Sequence, residues 1–235
     1  MISIHQSQFL PWLPYFYKIL KSDLFIIMDD VQYQKNGVQN RNTIKTPIGE
    51  SYLTMPVVSK STSLINEVEI KNNIYIDKML KTIKSNYVKA KYYDLIFPKI
   101  VDMIKNKIYL KLNDLNIDLI LLFLELMDVE DTEIRYSSEF SFTSKKDDLV
   151  LDLILATNER EYISGSGGLD YMDLNKFDNN DIKIYLYDFS YKEYKQLWNK
   201  KGFIENISII DLLFNELEIA REYILENGSL SLLER

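Results

Sequence analysis

The sequence predicts an α/β fold: a mostly parallel sheet with a β-hairpin insertion and a helical subdomain, within a single domain covering residues 1–235. Three observations carry this expectation. Short continuous apolar runs such as "DLFIIMDD" are bounded by polar loops, as in strands buried on both faces. Stretches of helical spacing alternate with those runs. A glycine-free block from about residue 73 to 130, rich in Ile, Leu and Lys, has the spacing of three or four helices inserted or packed on the sheet.

In chain order, residues 1–5 read as a buried strand, and 11–21 ("PWLPYFYKILK") as a helix with proline in its opening turn, where a missing N–H costs little. Leu24 to Met28 is the second strand, ending in Asp29-Asp30. "QNRNTIKTPIGESYLTMPVV" reads as a hairpin turning at Thr46-Pro47-Ile48-Gly49, and Glu67 to Ile70 as a further short strand. After the helical block, "EIRYSSEF" is a strand and "KKDDLVLDLILATN" a helix. "EYISGSGGLDYM" is a strand entering a glycine turn, and "DIKIYLYDF" is another strand. "SIIDLLFNEL" opens a helix at Ser208 with Asp211 placed as in a capping box. Only the C-terminal "NGSLSLLER" is expected to be disordered.

Bulk composition bounds the function. With 46% hydrophobic and 27% charged residues, the chain has ordinary globular composition and length enough for a substantial core. A net charge of −7 argues against a nucleic-acid binder, and the lysine clusters "SKS", "KAKYYD" and "NKK" read as solvated faces. Having no cysteine removes disulfides and thiolate chemistry, and the single histidine leaves any zinc site to be completed by carboxylates. The apolar run from 117 to 127 is broken by Asp118 and Glu125 and is too short to span a bilayer. With no secretion signal visible, a cytoplasmic location without membrane insertion is expected. A homodimer is left open.

Three constellations are candidates for chemistry. The first is "HQSQ", where His5, Gln6 and Gln8 follow the first strand; buried amides without partners are costly, so they favour a held ligand. The second is "DDVQYQKNGVQNRN", residues 29–42, with two acids, three glutamines, three asparagines, a lysine and an arginine. Here Asp29 and Asp30 suit magnesium, an amine or a ribose, and Arg41 offers a planar fork for phosphate or carboxylate. The third is Ser164, Gly165, Ser166, Gly167 and Gly168, whose main-chain N–H groups after a strand suit an anion, although a tight turn explains the same residues. It has neither dinucleotide-fingerprint nor P-loop spacing. Ser137, Ser138 and Lys145 are weaker candidates.

These stretches, with "YLTMPV" and "SIIDLLFN", resemble in order and spacing the WbqC-like family of bacterial proteins, from near Ile4 to about Asn215. Ser7 stands where members carry proline, and Pro14 where glycine is usual. The resemblance implies a role in surface glycans such as O-antigen, lipopolysaccharide and capsule. A second likeness is to the nucleotidyltransferase and pantothenate-synthetase type of Rossmann-like fold, which uses two histidines on ATP phosphates where this chain has only His5.

The resulting expectation is a transferase forming an amide, by acyl or aminoacyl (for instance glycyl) transfer, on a nucleotide-linked amino sugar. His5, Asp29 and Asp30 are the catalytic candidates. Gln6, Gln8, Gln32, Lys35, Asn40, Arg41, Asn42 and the 164–168 loop are the binding candidates. ATP with magnesium is a cofactor pair only if ATP activates the donor. The alternatives are a nucleotidyltransferase or adenylating enzyme, and a non-catalytic protein that binds a nucleotide sugar or assembles with a partner.

Overall fold

A computed structural model describes residues 1–170 and 172–234. In chain order come β1 (Ile2–Gln6), α1 (Leu13–Leu20), β2 (Leu24–Met28), β3 (Arg41–Thr46), β4 (Gly49–Thr54), β5 (Val57–Val58) and β6 (Glu69–Ile70). Three helices follow, α2 (Ile74–Tyr87), α3 (Tyr93–Lys105) and α4 (Leu112–Leu126), then β7 (Glu133–Tyr136) and α5 (Asp147–Ala156). The chain ends with β8 (Glu161–Ser164), α6 (Ser166–Leu169), α7 (Leu174–Asp178), β9 (Lys183–Phe189), α8 (Ile210–Glu216), α9 (Ala220–Asn227) and β10 (Gly228–Leu232).

Six strands form one sheet in the order β10-β9-β8-β1-β2-β7, all parallel except the β10 edge. Taken in order of appearance along the sheet, this is the doubly wound Rossmann-like arrangement, with helices on both faces. On one face Ile2, Ile4, Leu24 and Ile26 pack with Leu149, Leu153 and Ile154 of α5 and with Phe177 of α7. On the other, Phe25 and Ile27 pack with α1, α4, α8 and α9 in a larger cluster that includes Phe16, Phe123 and Phe214. Burial on both faces is why β2 reads as an uninterrupted apolar run. The β3–β4 hairpin pairs from Arg41↔Thr54 to Thr46↔Gly49 and stands outside the main sheet.

Several elements differ from the sequence expectation. Helix α1 opens at Leu13, because the Pro11 carbonyl accepts from Ile209 N and Trp12 bridges Ser208; Pro14 rather than Pro11 lies in the first turn. Of the expected strand at 67–70, residues 65–67 form a 3₁₀ turn and only β6 remains. Asp211 does not cap α8: it is fully buried and accepts from the hydroxyls of Tyr87 and Tyr194 at 3.0 and 2.9 Å. The C-terminal stretch is ordered, since the open edge of β9 pairs residues 228–232 as β10. Gly228 makes that docking possible, because a Cβ there would lie 2.2 Å from the Tyr17 ring.

Candidate functional site

Strand β1 pairs with β2 over five residues, Ile2↔Leu24 to Gln6↔Met28, but with β8 over only two, Ile2↔Tyr162 and Ser3↔Ile163. Beyond Ser3 the two strands separate. This is also where the order of the sheet reverses, and in such sheets the crevice outside the carboxyl ends at that point receives ligands. His5 and Gln6 on one side, and Ser164 and Gly165 on the other, therefore border the opening.

His5 sits on the α1 face of β1, with its ring edge-on to Tyr15 at 5.1 Å between centroids. Its Nδ1 is 3.2 Å from the Gln6 carbonyl oxygen and 3.4 Å from Gln8 Nε2. The two contacts call for different tautomers: with the proton on Nδ1 the ring donates to the Gln6 carbonyl and keeps a lone pair on Nε2, and with the proton on Nε2 its Nδ1 accepts from Gln8. Burial, followed by the charge of Lys18, pulls its pKa down to about 3, against the opposing contact to Gln6. The ring is therefore neutral at physiological pH. Lys18 is itself buried, donates to the Ile4 carbonyl at 3.2 Å, and has its pKa lowered by burial to about 7.

The loop after β2 folds over the loop after β1. Phe9 N donates to the Val38 carbonyl, Gln39 Nε2 to Gln6 Oε1 at 2.5 Å, and Asn42 Nδ2 to the Leu10 carbonyl at 2.7 Å. Helix α4 closes the same region: Ser7 Oγ donates to Asn113 Oδ1 at 2.6 Å and Asn116 Nδ2 to the Gln39 carbonyl at 2.8 Å. Even so, these linked residues leave buried acceptors unused, namely Gln8 Oε1, Gln39 Oε1, Asn40 Oδ1 and Asn116 Oδ1, together with the hydroxyls of Tyr15 and Tyr33. The orientations of Asn40 and Asn116 are fixed, because each Nδ2 donates to a main-chain carbonyl. Buried acceptors left in this state are satisfied by an enclosed water or by the donor groups of a ligand.

The two aspartates differ. Asp29, 7% exposed, is tied to the end of β7: Oδ1 accepts from Ser138 N at 3.0 Å and Oδ2 from Ser138 Oγ at 2.8 Å, and its main-chain N–H donates to Ser137 Oγ at 3.1 Å. Asp30 is half-buried and accepts through Oδ1 from Ser137 Oγ, leaving Oδ2 without a bond among the described residues. Asp30 is thus the carboxylate with capacity to spare. No group of three or more His, Cys, Asp or Glu side chains among the described residues is arranged to hold a metal ion. Magnesium at these aspartates would need oxygens from a bound phosphate.

The other predicted binding residues separate. Gln32 is exposed and donates to the Ser61 carbonyl at 2.9 Å, and Lys35 is exposed on the same loop. Arg41 stacks its guanidinium 4.6 Å from the Tyr52 ring centroid. Ser164 is buried, whereas Ser166 and Gly167 are exposed at the sheet edge. Residues 166–169 form a single helical turn, in which Gly168 N donates to the Gly165 carbonyl, and Gly165 and Gly168 are held to small size by their neighbours. A Cβ at Gly168 would fall 2.4 Å from Ser164 Oγ, and one at Gly165 would press on Tyr187.

Sequence reasoning missed Ser7, Lys18, Gln39, Asn113 and Asn116. The signal for the last two was present: asparagines at the start of an apolar helix, on the face that must be buried.

Fold and site together define a Rossmann-like α/β protein with a cluster of polar side chains after its first strand, beside the reversal of its sheet. The chain belongs to the WbqC-like protein family, whose model matches residues 6–223. It is also 31% identical over 226 residues, 95% of this chain and 96% of the relative, to "Uncharacterized protein Rv1507c" of Mycobacterium tuberculosis (strain ATCC 25618 / H37Rv). No solved structure gives a significant match.

Proposed function

We propose that the protein is an enzyme of bacterial surface-polysaccharide biosynthesis that forms an amide on the amino group of a nucleotide-linked amino sugar. The observation that carries this reading is the set of unused buried acceptors around the β1 loop, on Gln8, Gln39, Asn40 and Asn116. An amino sugar supplies the missing donors through its amine and hydroxyls. Neutral His5, in the tautomer with its proton on Nδ1, accepts from the amine through Nε2 and orients it without opposing its positive charge.

In the reaction, the amine nitrogen attacks the carbonyl carbon of an activated acyl group. The N–C bond forms, the bond from that carbon to its leaving group breaks, and the leaving group departs with the electron pair. The proton shed by nitrogen passes to Asp30, whose Oδ2 is unengaged. The acyl donor is a thioester, or a carboxyl group activated by ATP with magnesium; a glycyl unit falls within this class. Lys35, Arg41 and the 164–168 turn are the groups assigned to the donor's charge or to the nucleotide's pyrophosphate.

A second reading, binding of the nucleotide sugar without catalysis, is favoured by Asp29, whose two carboxylate oxygens are already engaged by Ser138. Nucleotidyl transfer predicts pyrophosphate release from a nucleoside triphosphate, and its absence with all the common triphosphates removes that reading.

A thermal-shift panel of nucleotide-linked amino sugars, their hydroxyl counterparts, ATP with magnesium, and acyl-CoA tests the proposal. At about 100 times its Kd a ligand adds roughly 2.7 kcal/mol, which for a chain of this size raises the midpoint by about 5–10 °C. The amino sugars shift the midpoint and the hydroxyl counterparts do not. Equal shifts with both, or with neither, would refute the amine-acceptor reading.

A further inference from the structure

Two of the lysine clusters that read as solvated faces in the sequence meet in the fold. Lys89, in the turn between α2 and α3, and Lys200 and Lys201, in a 3₁₀ turn at 199–201, line one cleft of about 440 Å³ with Pro47, Leu197, Trp198 and Asn199. Pro47 belongs to the tip of the β3–β4 hairpin. Six residues of strand separate that tip from Arg41 at the hairpin base, about 20 Å at the usual rise per residue. None of the residues lining the cleft borders the opening between β1 and β8, so the two places are distinct.

We propose that this cleft is a second ligand site, one that takes a nucleoside diphosphate. Charge is the first argument. The protein carries a net charge of −7, yet no carboxylate lines the cleft, and none of its three lysines forms an ion pair among the described residues. Three free ammonium groups around one concavity match the multiple charge of a diphosphate. Shape and apolar lining are the second. The volume lies in the range of small-molecule sites, and Trp198, Leu197 and Pro47 form an apolar wall for a planar base. The indole N–H of Trp198 is spent on the Asn86 carbonyl at 3.2 Å, so the ring meets the cleft through carbon.

Backbone strain is the third argument, and it is independent of the lining. Trp198 adopts φ 58 and ψ 41, a left-handed conformation that is costly for a large side chain and persists only where its surroundings enforce it. Here the enforcement is visible. Buried Lys45 donates from Nζ to Gln196 Oε1 at 2.9 Å and to the Gly202 carbonyl at 2.5 Å. Gln196 in turn donates to the Ile204 carbonyl and accepts from Ile204 N. A buried lysine thus clamps both ends of the segment that presents Trp198, Lys200 and Lys201, and the cleft wall is preorganised.

The test is calorimetric titration with UDP, uridine and inorganic pyrophosphate, each to about 1 mM. It is run on the wild-type protein and on the Lys200→Gln/Lys201→Gln double variant, whose side chains are exposed and whose thermal midpoint is checked first. UDP binds the wild type more tightly than pyrophosphate or uridine, and the double variant loses roughly tenfold or more in affinity. In a Trp12→Phe variant, where Trp198 is the only indole, UDP quenches the fluorescence with the same Kd. No heat with UDP, equal affinity for pyrophosphate, an unweakened double variant, or binding without quenching would each overturn the proposal.

Discussion

The hydroxyl of Tyr87, at the end of α2, donates to Asp211 Oδ1 at 3.0 Å and fastens the helical block to α8 across 124 residues of sequence. Tyr194 donates to the other carboxylate oxygen, and no ion pair among the described residues neutralises the group. Burial raises the pKa of Asp211 from 3.8 to about 6 against these hydrogen bonds and the distant charge of Lys45. The folded state therefore holds this proton more strongly than the unfolded chain does. The resulting stabilisation is complete below about pH 4 and is lost as pH rises to about 6, a change on the order of 3 kcal/mol. Urea unfolding of the wild type and of Asp211→Asn between pH 4 and 7 checks this: the difference between them changes across that window and is flat above it. Asp211→Leu, which strands both hydroxyls, costs roughly 2–4 kcal/mol.

Lys18 gives the opposite slope at higher pH. Its folded pKa of about 7 lies below its ordinary 10.5, so the unfolded chain binds the proton more strongly and stability climbs as pH rises from 7 to about 10. Replacing it by Met removes a buried charge at the loss of one bond to the Ile4 carbonyl. Lys18→Met is expected to be more stable than wild type at pH 7 by roughly 2–4 kcal/mol, with the gain fading by pH 10. Because Lys18 also depresses His5, the imidazole pKa rises in the variant, which NMR titration of the single histidine reads directly.

The adjacent acids Asp29 and Asp30 are expected to fail in different ways. Asp29→Asn disrupts the carboxylate that accepts twice from Ser138, and lowers stability by about 1–3 kcal/mol. Asp30→Asn leaves the fold intact within about 0.5 kcal/mol and cuts amide formation by about a hundredfold or more, with ligand affinity changed less than tenfold. If both variants merely weaken binding, the protein binds without catalysing.

The strand ends of this architecture were legible because buried parallel strands write themselves as apolar runs. Leu24–Met28 is both the run in the sequence and the strand in the structure. The β3–β4 turn was legible in Pro47-Ile48-Gly49, where Gly49 takes φ 116. What could not be read were partners far apart in sequence. Nothing local to Asp211 says that Tyr87 and Tyr194 will meet it, so the residue read as a helix cap. The helical spacing of Asn113 and Asn116 marks their burial but not their partners, and only the docking of α4 on the β1 loop gives them Ser7 and Gln39. The terminal strand read as a tail because its pairing depends on an open edge supplied by β9 and on the space that Gly228 leaves for Tyr17.

That space is itself testable. Gly228→Ala puts a methyl 2.2 Å from the Tyr17 ring, which is packed against Phe189 and cannot retreat freely. A loss of roughly 1–3 kcal/mol in chemical denaturation is expected. Gly167→Ala meets nothing within 4 Å and is expected to change stability by less than about 0.5 kcal/mol, although the two glycines look alike in sequence.

The central claim is that a donor-bearing amino sugar completes the polar crevice at the end of β1, beside a neutral imidazole. The most direct test follows the ring signals of His5 by NMR during titration with a nucleotide-linked amino sugar and with its hydroxyl counterpart. With one histidine in the chain, the signal is unambiguous. The Nε2 signal is expected to shift saturably with the amine-bearing ligand and to stay still with the hydroxyl counterpart. Saturable binding of the amino sugar that leaves His5 unmoved would contradict the central claim.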